Sequence, residues 1–163
     1  MVRTYCYVHR VDGLEPGCYR YLPASHSLRV LEAGDVTAWA AALSLGQALA
    51  GNATAAFSLV ADLVGAAAAF GNRGYRYAHI ESGIIRHGLY LGAEAVGWNA
   101  TGIGAFYDDD VHRFLDIDRQ EGQVVYHHSI GVAVPDDRLL LEGVEPLAAE
   151  EVAGQPEKPL EIP

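Results

Sequence analysis

Basic side chains are scarce in this chain of 163 residues: ten Arg and one Lys, Lys158, stand against 21 acidic residues, for a formal net charge of −10. Neutralising nucleic-acid phosphates takes a basic stripe, so the composition argues against a nucleic-acid partner. Cysteine is nearly absent as well. Cys6 and Cys18 show no CxxC spacing and have no further partners, which excludes a zinc ribbon and a disulfide scaffold. No apolar run reaches the roughly 18 residues that span a bilayer, and residues 1–10 lack the charged-then-apolar layout of a secretory signal, so a cytoplasmic protein away from membranes is expected. The HExxH, zinc-finger and GxSxG patterns are all missing. His127 and His128 are neighbours on a predicted strand and point to opposite faces. His79 and His87 are more than two helical turns apart, and Asp108–Asp110 reads as the acidic first turn of a helix, so no metal is expected.

What is present is a chain that is 50% hydrophobic and 20% charged, enough to bury one core. Aromatic or branched residues alternate with polar ones over 3–11, 17–22 and 27–32, separated by Asp12-Gly13 and Pro23-Ala-Ser-His26, which predicts an antiparallel meander. Asp35 is placed to cap a helix running to Leu49 and closing at Gly51-Asn52. A central strand is predicted over 54–63 and a short helix over 66–70, halted by Gly71-Asn72. The longest helical signal covers 74–96, where Tyr77, Ile80, Ile84, Leu91 and Ala95 recur at three- and four-residue spacing. Ser82, Gly83, Gly88 and Gly92 thin this helix, as a close neighbour would require. Strands are expected over 98–103 and 123–134, with a short helix beginning at Asp108. From Glu142 onward there are six Glu, one Lys and four Pro and no period that buries a face, so 142–163 is expected to be a flexible acidic tail after a domain over 1–141. Strands and helices are interleaved through hairpins rather than βαβ units, which makes the class α+β, an antiparallel sheet with packed helices.

Gly102-Ile-Gly104 closes the predicted 98–103 strand, where exposed backbone N–H groups can face an acceptor-rich ring or a phosphate. Around it lies an ordered series of motifs. These are Gly71-Asn-Arg-Gly-Tyr-Arg-Tyr-Ala-His-Ile-Glu-Ser-Gly83, Leu89-Tyr-Leu-Gly-Ala-Glu-Ala-Val-Gly97, Ala100-Thr-Gly-Ile-Gly-Ala-Phe-Tyr-Asp-Asp109 and Tyr126-His-His-Ser-Ile-Gly131, led in by residues 13–21 and Leu45-Gly-Gln47. Together they resemble the C-terminal half of a nitroreductase-superfamily flavoprotein, and within it the SagB/ThcOx-type dehydrogenases that include azoline oxidases. The likeness covers about 5–140.

The resemblance implies a nitroreductase-like α+β fold that binds FMN at a subunit interface. Gly102, Ile103, Gly104 and Ala105 would lay backbone against the isoalloxazine, and Arg138 would approach the phosphate. Amide donors near the ring favour its reduced form, and small residues let it come close. Hydride would pass between NAD(P)H or an organic substrate and an acceptor. The family's Arg-Arg-Ser-type phosphate grip has no counterpart in these residues, so a homodimer, or a heteromer with a chain supplying the N-terminal half, is expected to complete the site. Azoline oxidases carry a Lys-Tyr pair where this chain has Ala69-Phe70, and the cysteine common in their glycine loop is Ala105 here. The alternative is a cofactor-free interaction or scaffold remnant of the same fold.

Overall fold

The computed structural model describes residues 1–134, of which Met1–Ala133 form one compact unit. Arg138 and the expected 142–163 tail lie outside the described residues. Six strands pair antiparallel throughout: β1 (Val2–Val8), β2 (Gly17–Leu22), β3 (Ser27–Ala33), β4 (Ala55–Ala61), β5 (Asn99–Ile103) and β6 (Gln123–Gly131). Their spatial order is β3-β2-β1-β4-β6-β5, so the first three strands form the expected meander and β4 is central.

Strand alternation sorts side chains onto two faces. On one, Tyr5 and Tyr7 meet Cys18, Val60 and Ile103 under α1 (Thr37–Leu43), α2 (Ala48–Asn52) and α5 (Asp108–Leu115), which contribute Val111 and Leu115 among others. On the other, Cys6, Val8 and Tyr19 form a smaller apolar cluster with Phe57 against them, and Tyr126 and His128 lie under α4 (Arg73–Ala95). α3 (Leu63–Phe70) packs on α4 and is capped by Asp62, whose carboxylate accepts from the Gly65 N–H at 2.7 Å.

One helical expectation needs correction. The helix predicted from Asp35 to Leu49 is broken, because Leu45 and Gly46 take φ of 57° and 69°, the left-handed region, and turn the chain between α1 and α2. Asp35 does serve the first of these helices, accepting from the Thr37 N–H at 2.9 Å. The second helix, α2, closes at Asn52, as the Gly51-Asn52 pair predicts, and Gly51 has a further role. It lies against the Thr37 carbonyl, where a Cβ would come within 2.6 Å, so it is a point of close helix approach. In α4 the face turned inward is the small-residue row Gly74, Ala78, Ser82 and Ala93, with Gly74 held against the Ala66–Ala67 backbone. The periodic apolar residues face outward: Ile80, Ile84 and Leu91 are 48%, 68% and 58% exposed. No helix among the described residues is long and apolar enough to cross a membrane.

Candidate functional site

The glycine segment lies where β5 ends and α5 has not begun. Gly102 is still in the sheet, paired with His128, and its N–H donates to the Tyr90 hydroxyl at 2.9 Å. The Tyr126 ring lies directly over its Cα, leaving no room for a Cβ. Tyr126 is held by Arg86, which donates to its hydroxyl at 2.7 Å and stacks its guanidinium 4.9 Å from the ring centroid. Gly102 is therefore required by packing, and its amide already has a partner.

Gly104 and Ala105 differ. Both are exposed, and a Cβ built on Gly104 meets nothing within 4 Å. Among the described residues no backbone–backbone hydrogen bond involves the amides of Gly104 or Ala105. Ile103, between the two glycines, is 3% exposed and points into the core, as strand alternation demands. The sequence-predicted quartet thus divides into two residues built into the sheet and two that present open backbone, and Arg138 lies outside the described residues.

The open segment is anchored from below. The Tyr107 N–H donates to the Leu43 carbonyl at 3.0 Å, and Gln47 Nε2 donates to the Ala105 carbonyl at 3.4 Å. The Phe106 ring stacks on His127, centroids 4.7 Å apart and planes 20° from parallel. His127 is buried, and burial pushes its pKa down to about 4. His128, on the opposite face, is pushed to about 4 by burial and by the Arg86 charge. Both imidazoles are neutral near pH 7. The thiols of Cys6 and Cys18 are pushed up to about 12 by burial, so neither is a poised nucleophile. Beside the segment, Phe106, Asp109, Arg119 and Gln123 line an open cleft of about 600 Å³ in which Arg113–Asp110 and Arg119–Asp109 form ion pairs.

Sequence reasoning missed Tyr90, Tyr126 and Arg86 as the support of Gly102, and Leu43 and His127 as anchors of the loop. Tyr90, Tyr126, His127 and Gln47 lay inside the quoted motifs, whereas Leu43 and Arg86 lay in none of them.

Comparison with known proteins bears on this arrangement directly. The Nitroreductase family profile matches residues 2–132. A nitroreductase-type protein of Methanocaldococcus jannaschii is 35% identical over 119 residues, 71% of this chain and 59% of its own length. A crystal structure of a nitroreductase-type protein from Anabaena variabilis superposes with a TM-score of 0.76 and 35% identity, over 81% of this chain and 27% of that one. A chain of the Escherichia coli microcin synthetase complex shares the fold, with a TM-score of 0.71 at 20% identity over 83% of this chain and 52% of that one. This chain therefore spans 59% of the curated relative it matches and about a quarter of the Anabaena protein. Because the match runs through the whole sheet and takes in the glycine segment that the geometry singles out, the chain belongs to the nitroreductase family.

Proposed function

We propose that this chain is the flavin-ring half of an FMN-dependent oxidoreductase of the SagB/ThcOx type, working in the cytoplasm with a second copy or a partner chain that completes the phosphate grip. The observation that carries this reading is the open backbone of Gly104 and Ala105, exposed at the end of β5. The approach to Gly104 is open, since beyond its chain neighbours nothing lies within 4 Å of a Cβ built there. When bound, FMN supplies hydride exchange between a donor such as NAD(P)H and an organic acceptor.

The chain's own residues have simpler tasks. Gly104 and Ala105 offer amide donors to an electron-rich ring edge, and Ile103 closes the floor behind them. Arg138 is the proposed phosphate ligand. The outward Ile80, Ile84 and Leu91 of α4 form the surface on which a second subunit excludes water, as in a homodimer or a heteromer. Ala69 and Phe70 carry no titratable group, so proton removal from an azoline ring is not among this chain's tasks.

A second reading, a cofactor-free scaffold, draws on Gly102, whose conservative explanation is the overlying Tyr126 and whose amide is bonded to Tyr90. The two are separated by purifying the protein and titrating it with FMN while following quenching of flavin fluorescence. Saturable binding supports the flavin reading. A colourless protein that does not quench FMN, alone or with its co-purifying partner, supports the scaffold.

A further inference from the structure

We propose that His127 is a positioning residue: through Ser44 on one side and the Phe106 ring on its face, it fixes the height of the Ala105–Tyr107 backbone, an inference that rests on the flavin reading of that segment. His127 Nδ1 is 3.0 Å from Ser44 Oγ, Nε2 is 3.0 Å from Ser58 Oγ, and Ser58 Oγ is 3.0 Å from the Tyr7 hydroxyl. A neutral imidazole has one N–H and one lone pair, so one serine accepts from the ring and the other donates to it. All four groups are buried, Ser44 at 2% exposure and Tyr7 at 1%. With neither end in water, the chain is no route for protons to solvent, and its role is geometric.

The geometry leads to the loop by three routes. Ser44 follows directly on α1, and the residue before it, Leu43, accepts the Tyr107 N–H at 3.0 Å. Three residues on, Gln47 donates to the Ala105 carbonyl. Phe106, between them, rests on the imidazole itself. Each residue from 105 to 107 is thus tied to His127 or to the turn that Ser44 pins. An aliphatic side chain at 127 would fill the same space but leave the Ser44 hydroxyl without its partner in the core, whereas Ser58 would keep its bond to Tyr7. Ser58, by contrast, sits on β4 and pairs its hydroxyl with His127 and Tyr7, neither of which belongs to the turn or the loop.

That asymmetry supplies the test. Ser44→Ala and Ser58→Ala each remove one bond to the same ring, and His127→Phe keeps a ring under Phe106 while removing both. Amide hydrogen exchange of Tyr107, whose N–H is held by the Leu43 carbonyl, is measured in the FMN-free protein against the β4 amides, and FMN affinity is measured by fluorescence quenching. The expected result is about tenfold faster exchange of the Tyr107 amide relative to β4, and about tenfold weaker FMN binding, in Ser44→Ala and His127→Phe. Ser58→Ala should lower stability while leaving that ratio and the affinity within about twofold. Equal local effects from the two serine variants, or none from either, would overturn the positioning role. Should wild type fail to bind FMN while Ser44→Ala still frees the Tyr107 amide, the flavin reading falls and the positioning role stands. Should wild type bind FMN with all variants unchanged, the positioning role falls alone.

Discussion

Replacing Gly102 and Gly104 by alanine, one at a time, separates a glycine required by packing from one left open. Neither takes a left-handed φ, so the backbone accepts alanine at both positions and only the surroundings differ. At Gly102 the new methyl meets the Tyr126 ring, whose Cε1 would be 2.9 Å away. Tyr126 can yield only by leaving Arg86, with which it shares a 2.7 Å hydrogen bond and a stacked guanidinium. Overpacking costs roughly 1–3 kcal/mol, and a hydrogen bond from a charged donor contributes roughly 1.5–3 kcal/mol. A net loss of about 2–4 kcal/mol is expected, which for a chain of this size lowers Tm by on the order of 10 °C. At Gly104 nothing stands within 4 Å, so alanine should be neutral or stabilise by up to about 1 kcal/mol through the unfolded chain. Urea and thermal melts of the two variants provide the measurement. A Gly102→Ala protein as stable as its parent would show that Tyr126 moves freely, and the packing account of that glycine would fail.

The pH dependence of stability should carry the mark of the buried imidazoles. His127 and His128 have folded pKa values near 4, below the ordinary 6.5, and burial also lowers those of His9 and His112, so the unfolded chain takes up protons first as pH falls. Their contribution is fully present above about pH 6.5 and is lost toward pH 4, at up to about 1.4 kcal/mol per pH unit for each ring; urea midpoints that stay flat across that window would contradict it, and His128→Phe should lessen the slope without abolishing it. Ile84→Glu should disrupt subunit association seen by sedimentation yet leave the unfolding midpoint of the dissociated chain within about 0.5 kcal/mol, as expected for a side chain 68% exposed. Gly104→Val should weaken FMN binding more than Arg138→Ala does, read by fluorescence titration, because a branched side chain blocks the ring face. With FMN added, this chain should convert azolines to azoles no faster than free flavin does, since Ala69-Phe70 offers no base.

The sheet was legible because its signals are local: alternation marks β1, β2, β3 and β6, a short apolar run marks β4, and turn residues separate the elements. The break between α1 and α2 was not, because Leu45 takes a conformation that leucine rarely adopts, and Ala-rich flanks on both sides read as one helix. The apolar period of α4 was visible, but period alone does not say which stripe meets the sheet. Small residues won that face because α3 and the strands approach closely. At the site, Gly104 stood out by composition and motif. The ties beneath it did not, because Ser44 and His127 are 83 residues apart and Gly102 depends on Tyr126 and Tyr90 from two other elements. Contacts that long in sequence leave no pattern in a window of ten residues.

The adjacent pair His127-His128 offers a built-in spectroscopic gauge. One ring lies among Ser44, Ser58 and Phe106, the other against Tyr90 and Phe57, with the thickness of the sheet between them. Nitrogen resonances of two consecutive residues would therefore report independently on opposite sides of the molecule. A ligand at the β5 end should perturb the first ring and a subunit docking on α4 the second, so one labelled sample can tell the two events apart and give their order.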